Sequence, residues 1–190
     1  MMRTATRLLV ALSAICIWSA ASSEPLLHSA TGINFPDRVA DFFRIDYRNF
    51  EPENPGLGSS YGYKTSGGVT ATVYVFMAGL PVVPSDVAHP VFRQLREQTI
   101  KDIEMFSRSR GEQIQHTMKE TVKIQGERME IAVLFDGFSI NAPSGAKDTF
   151  AWLWPARGQV MKIRMTSGGV QKIDPEQQQA FSQAIVRLAE

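Results

Sequence analysis

The sequence predicts an α+β protein: an antiparallel meander sheet, with a long helix after the first hairpin and a C-terminal helix packed on the sheet. Three observations lead to this prediction. Short segments with two-residue alternation follow one another across tight turns, one long segment has helical spacing, and the last segment opens with a helix-capping signal. Strands joined by short turns pair antiparallel, so the predicted element order is β-β-β-α-β-β-β-β-α.

The first half of the chain contains three strand patterns. Apolar and charged residues alternate over residues 43–47, and the Pro- and Gly-rich residues 51–60 follow as a loop. Residues 61–64 and 69–78 flank a Thr-Ser-Gly-Gly turn. We expect positive φ angles at Gly67 and Gly68, which would make these two segments a β-hairpin.

Two helices are predicted, one in the middle of the chain and one at its end. The first covers residues 87–107, with Ser85 or Asp86 as its N-cap. The second is capped by Asp174, and Gln177 stands where a capping box requires it. An apolar stripe at steps of three and four residues gives the first helix a face for packing on a sheet. Its members are Phe92, Leu95, Thr99, Ile103 and Phe106.

Four strand patterns lie between the two helices. They cover residues 113–124, 129–138, 149–154 and 160–166. Residues 141–147 are predicted as a loop because Pro and Gly are close together there.

The order of these elements resembles the architecture shared by the Mog1/PsbP-like domains and their exported bacterial relatives. The resemblance covers most of the chain that follows residues 1–21 and rests on element order, since no family motif is present. It implies a protein that binds partner proteins and is generally not an enzyme. Without a matching motif, the resemblance assigns no functional residue.

The N-terminus has the pattern of a secretory signal peptide. Residues 1–21 combine two arginines, an apolar run and a zone of small residues, which favours cleavage after Ala21 or Ser23. The apolar run is shorter than the ~20 residues that a membrane-spanning helix needs. Cys16 follows Ile15, and a lipobox needs a small residue at that place. We expect residues 24–37 to form a flexible arm and residues 38–190 a single domain.

Composition excludes several classes of protein. The chain has 20 Lys and Arg against 19 Asp and Glu, so it lacks the broad positive charge of a nucleic-acid-binding domain. Its one cysteine excludes a disulfide scaffold, and that cysteine lies within the predicted leader. No apolar segment after the leader is long enough to cross a membrane.

The sequence contains no assembled set of catalytic or metal-binding residues. The histidines are not at ligand spacing, so no metal site or cofactor is predicted. They are His28, His89 and His116. Ser144 and Lys147 match S-x-x-K, but the match lies in a predicted loop and its companion motifs are missing. The methionines at 118, 129, 161 and 165 suggest core packing more than copper binding.

One candidate ligand or partner patch remains. Trp152 and Trp154 point the same way on one predicted strand, and Lys162 and Arg164 do so on the next. If the two faces coincide, the patch suits a carbohydrate, an anionic lipid headgroup or a protein partner. The competing interpretation buries the aromatic side chains in the core and leaves the two cations outside.

These observations favour an exported, periplasmic or secreted, non-enzymatic binding or accessory protein whose partner is an envelope protein or a small ligand. One alternative is a small periplasmic hydrolase that uses groups on the loops at 51–60 and 141–147. Another is a structural envelope protein held by contacts of the N-terminal arm.

Overall fold

The computed structural model describes residues 25–168 and 172–190, and the predicted signal peptide lies outside them. This part of the chain forms an α+β fold, as predicted, with ten strands and two helices. The strands are β1 (Leu26–His28), β2 (Ile33–Phe35), β3 (Arg38–Val39), β4 (Phe42–Asn49), β5 (Ser59–Lys64), β6 (Thr70–Phe76), β7 (Gln113–Gln125), β8 (Glu130–Ala142), β9 (Gly145–Ala156) and β10 (Gln159–Thr166). The helices are α1 (Pro90–Ser109) and α2 (Pro175–Ala189).

Eight strands form one antiparallel sheet in the order β3-β4-β5-β6-β10-β9-β8-β7. The second meander runs back across the sheet, so that its last strand, β10, pairs with β6 of the first. β7 lies at the far end of the sheet, and its outer edge pairs with no described strand. The main helix, α1, connects β6 to β7 and therefore crosses the second meander.

The two faces of the sheet differ in what covers them. On the α2 face, Trp152, Ile163 and Val73 lie side by side on neighbouring strands and are buried in the main core. Phe181 of α2 packs on this face, with its ring centre 5.5 Å from that of Tyr63. On the α1 face, a smaller apolar cluster joins the helix to β8 and β9. Its buried members are Ile100, Ile103, Phe138 and Ala151.

The predicted flexible arm, residues 24–37, is wrong in its described part. β1 and β2 pair there as an antiparallel hairpin, and Ile33 and Phe35 are buried in the main core. The ring of Phe35 stacks on Tyr61 with a centroid distance of 3.8 Å. The prediction weighed the prolines and polar residues of this segment, whereas the alternation of apolar residues at 33 and 35 decided its structure.

The start of α1 also differs from the prediction. The N-cap is His89, whose Nδ1 accepts a hydrogen bond from the backbone N–H of Val91 at 3.3 Å, and Pro90 is the first helical residue. Asp86 accepts instead from the N–H of Ala88 in the turn before the helix. Proline favours the first helical position because its φ angle is already helical and it has no N–H to satisfy.

The predicted loop at residues 141–147 is much shorter than expected. β8 continues to Ala142 and β9 begins at Gly145, so only Pro143 and Ser144 form the turn. In residues 141–147, closely spaced Pro and Gly therefore mark a tight hairpin turn and not an open loop.

The turn between β5 and β6 has one of its two predicted positive φ angles. Gly68 has a φ of 90°, whereas the φ of Gly67 is not positive.

The cap of α2 is confirmed, and its capping box is not. The side chain of Asp174 accepts from the N–H of Glu176 at 2.9 Å. Gln177 does not reach back to the cap: its amide donates to the carboxylate of Asp41 at 2.5 Å and so ties α2 to the chain between β3 and β4.

Candidate functional site

The structure separates the four residues of the predicted patch. Trp152 and Trp154 pair across β9 and β10 with Ile163 and Met161, and both indoles are almost fully buried on the α2 face. Residues directly opposite in an antiparallel pair share a face, and consecutive residues alternate between faces. Lys162 and Arg164 therefore lie on the α1 face. The four side chains therefore form no combined patch: the two indoles lie in the core, as in the competing interpretation, but the two cations are half-buried and not outside.

Lys162 lies in an aromatic environment on the α1 face. Its ammonium nitrogen is 4.6 Å from the ring centre of Tyr74 and 5.6 Å from that of Phe76, both on the neighbouring strand. Burial lowers the pKa of this ammonium, and the charge of Asp102 on α1 acts in the opposite direction. The charge of Lys162 is thus stabilised by rings rather than by a hydrogen-bonded carboxylate.

Arg164 is half-buried beside the end of α1. Its guanidinium carbon lies 5.2 Å from the ring centre of Phe106, and that of Arg110 lies 5.5 Å from the same ring. Burial lowers the pKa of Arg164, but an arginine side chain stays protonated in proteins. Within the described residues, the Arg164 guanidinium makes no hydrogen bond and no ion pair.

A buried carboxylate joins two further cations next to Arg164. The Oε1 atom of Glu112 is 3.4 Å from Nε of Arg110 and 3.3 Å from Nζ of Lys147. The Glu112 side chain is only 7% exposed, so this carboxylate is largely shielded from water. It also acts on Arg164 through its charge.

These side chains surround a cavity of about 400 Å³ between the end of α1 and strands β6, β9 and β10. We call it the cationic pocket and define it by Arg110, Glu112, Lys147 and Arg164, with Phe106 and Tyr74 as aromatic walls. Hydroxyl groups complete the wall. They belong to Thr70, Thr72, Ser107, Thr166 and Ser167. The Oγ atom of Ser107 is buried and has no hydrogen-bond partner among the described residues.

The charges of the pocket favour an anion. Its wall has three cations and one carboxylate, which leaves two positive charges in excess. The C-terminal end of α1 also points here, and its dipole adds about half a negative charge, which weakens within the last turn. The cations outweigh that contribution. Guanidinium, ammonium and hydroxyl donors around one cavity are the groups that bind carboxylates and phosphates in proteins.

A second polar cluster is buried between α1 and the sheet. Asp136 on β8 accepts from Nε of Arg96 at 2.8 Å and lies 2.9 Å from Nε2 of His116 on β7. Arg96 also donates to the carbonyl oxygens of Glu120 and Phe135. Sequence reasoning missed this cluster. Two signals were present: a lone aspartate within an apolar strand, and an arginine four residues after Phe92 on the packing stripe of the helix.

The remaining sequence candidates have structural partners. His28 contacts Thr31 through Nδ1 at 2.8 Å, and His89 caps α1. Glu51 accepts from the N–H groups of Gly56 and Gly58, which closes the loop after β4. Lys147 lies on β9 and pairs with Glu112, so the S-x-x-K match at Ser144 and Lys147 does not have the helical arrangement that its chemistry needs.

Residues 25–168 and 172–190 lack two further features. No group of three or more His, Cys, Asp or Glu side chains there is placed to hold a metal ion. None of the helices in that part is both long and apolar enough to span a membrane.

The sequence matches no protein-family model, and no curated protein matches it. Among solved structures, the chain is similar to cyanobacterial PsbP (CyanoP) from Synechocystis sp. PCC 6803. The two are 12% identical, the similarity covers 83% of this chain and 86% of that one, and the TM-score is 0.47. No partner or ligand follows from a similarity of this size, and the α+β fold rests on the strand order and helices of the chain itself.

Proposed function

We propose that this chain is an exported, non-enzymatic binding or accessory protein that holds a small anionic ligand in the cationic pocket. The observation that carries the proposal is the half-buried guanidinium of Arg164, which lacks a hydrogen bond or ion pair within the described residues. A charged group removed from water is costly unless a partner offsets the loss. An anion that enters the pocket from solvent provides that partner.

Binding is favoured over catalysis because the buried carboxylates have structural partners. Arg96 and His116 occupy the two oxygens of Asp136, and Glu112 lies between Arg110 and Lys147. A carboxylate held in this way ties elements together and is less available to move a proton. The loops at 51–60 and 141–147, which the hydrolase alternative uses, supply no buried carboxylate. Glu51 closes the first loop, and the second is a tight turn.

Export rests on residues 1–21, which have the charge, apolar run and small residues of a cleaved leader. In a bacterial host, we expect the protein in the periplasm or medium, beginning at Ser22 or Glu24. N-terminal sequencing of the fractionated protein tests this. Intact leader on protein from the cytosolic fraction would refute export without bearing on the pocket.

The resemblance to the Mog1/PsbP-like domains adds an envelope protein as a further candidate partner. Such a partner would be found by affinity capture with the processed protein, and the pocket variants below would show whether it uses the same surface. The small ligand takes precedence because side chains of α1 and of strands β6, β9 and β10 line one pocket, and three of its four charged groups are cations.

Anion binding is tested by following the amide NMR spectrum during titration with sodium sulfate at constant ionic strength. We expect saturable shifts at residues of the pocket, and their loss in Arg164→Gln. Arg108→Gln is the control, because Arg108 lies in the last turn of α1, close to the pocket in sequence, but its guanidinium is exposed and pairs with Glu104. Arg110→Gln, at a more exposed side chain, guards against misfolding of the Arg164 variant. Unchanged titration in both pocket variants would refute the proposal.

A further inference from the structure

We infer that the ligand of the cationic pocket is an organic dianion, a phosphate monoester or a dicarboxylate. This inference rests on the proposed function and adds the charge and class of the ligand. It comes from the charge count of the wall, from the guanidinium of Arg164, which lacks a hydrogen-bond partner among the described residues, and from the size and aromatic walls of the cavity.

The charged side chains of the pocket wall indicate the charge of the ligand. Glu112 offsets one of the charges of Arg110 and Lys147, which leaves the charge of one of these two groups and that of Arg164. Residues 169–171, next to the pocket in sequence, are Gly-Val-Gln and carry no charge. A ligand with one negative charge leaves one of these two positive charges without a counter-ion in the pocket, whereas a dianion offsets both.

The guanidinium of Arg164 gives the site its geometry. Its carbon lies 5.2 Å from the ring centre of Phe106, and among the described residues the N–H groups along its edge donate to no acceptor. That edge matches two oxygens of a carboxylate or phosphate. The ring centre of Phe106 also lies 5.5 Å from the guanidinium carbon of Arg110, so one ring contacts two cations of the pocket.

The cavity is larger than an inorganic ion. Its volume of about 400 Å³ lies in the range of small-molecule sites. Tyr74 and Phe106 supply an apolar wall beside the charges, and the hydroxyl of Thr72 lies on the same wall. This arrangement suits a ligand with a carbon body as well as two negative charges.

The experiment compares ligands that differ in one charge. Succinate is compared with its monomethyl ester, and phenyl phosphate at about pH 7.5 with the same compound at about pH 5, since the second pKa of a phosphate monoester is about 6. Sulfate, a dianion at both pH values, reports any titration of the protein itself. We expect each dianion to bind at least about tenfold more tightly than its monoanion, with sulfate unchanged. The ratio between succinate and phenyl phosphate identifies the class.

A second experiment changes the net charge of the pocket wall instead of the charge of the ligand. Glu112→Gln raises the excess of the wall to three positive charges, so we expect tighter binding of dianions. Glu104→Gln is the matched control on α1, because Glu104 pairs with Arg108 outside the pocket, and it should leave binding unchanged. If Glu112 only positioned Arg110 and Lys147, its replacement would weaken binding instead, and this result would overturn the charge argument.

The two proposals fail in different ways. If no probe binds to the intact protein, the anion-binding function is wrong, and the dianion inference with it. If monoanions bind as tightly as dianions, and Arg164→Gln abolishes both, the function stands and only the inference about valence is refuted.

Discussion

The buried ion pair between α1 and the sheet offers the sharpest test of how this fold is held together. Arg96 and Asp136 have side chains only 10% and 4% exposed, and their Nε–Oδ2 distance is 2.8 Å. Two carbonyl oxygens, of Glu120 and Phe135, take further N–H groups of Arg96 at 3.0 and 2.8 Å. Replacing Asp136 with leucine leaves the guanidinium in the same place without a counter-charge.

The expected loss follows from that burial. Removing one partner of a buried pair costs about 3–5 kcal/mol, because the remaining charge stays out of water. A domain of this size has about 5–15 kcal/mol of stability in total. Asp136→Leu therefore removes a large fraction of it. The double variant Arg96→Met/Asp136→Leu removes both charges, and we expect it to lose much less than the single variant.

Urea unfolding, followed by the fluorescence of the buried Trp152 and Trp154, measures these differences. Lys119→Gln is the control, since Lys119 on β7 and Glu97 on α1 also join this helix to the sheet, but through an exposed pair. That variant should unfold close to the wild-type midpoint. A loss below about 1 kcal/mol in Asp136→Leu, or a double variant as unstable as the sum of the singles, would refute the reasoning.

Three further changes test other parts of the fold. Gly58→Ala places a Cβ atom 1.8 Å from the carbonyl oxygen of Val75 at a φ of 67°, so we expect the free energy of unfolding to fall by about 3 kcal/mol, or the variant not to fold. Gly79→Ala is the control: its φ is 69°, but nothing lies within 4 Å of the added Cβ, so it should lose only about 1 kcal/mol. Equal losses in the two variants would contradict the clash. Phe35→Ala should lose about 3–5 kcal/mol in urea unfolding, and an unchanged midpoint would mean that the N-terminal hairpin is not part of the core. Burial lowers the pKa of His28, so the unfolded chain takes up this proton first as the pH falls below about 6.5, and the folded state is destabilised there. Unfolding measured at about pH 7.5 and about pH 5 should show less loss of stability in His28→Asn than in wild type, and an equal loss would refute the assignment to His28.

Much of the fold could be predicted because its signals are local. Five predicted strands match β4, β5, β6, β7 and β10 to within two residues at each end, and both helices are present, with the start of α1 at Pro90 instead of residue 87. Two-residue and helical periodicity report which side of an element is covered, and this information is contained in neighbouring residues. The N-terminal hairpin and the β8–β9 turn were missed because composition was weighed above pattern. Prolines near residues 24–37 and 141–147 suggested open chain, although paired strands tolerate them at ends and turns.

The candidate site could be predicted only in part. The sequence singled out Arg164, but it grouped this residue with two tryptophans from the opposite face. Alternation shows which residues of a strand share a side. It does not show whether that side faces α1 or α2 when both faces of the sheet are covered. The partners of Arg164 come from the end of α1 and from β9, and only the pairing of β10 with its neighbours brings them together. The buried cluster at Asp136 was missed for the same reason.

The long outer strand of the sheet bears on how copies of this chain behave at high concentration. The outermost strand, β7, has thirteen residues, and its midpoint is Lys119. If two copies joined antiparallel about that midpoint, the two Lys119 ammonium groups would face each other, and like charges in that position repel. The irregular pairing between His116 and Met118 further disturbs the regular spacing that edge-to-edge joining requires. In this register, the central charge and the irregular pairing of the strand itself oppose edge-to-edge joining of two copies.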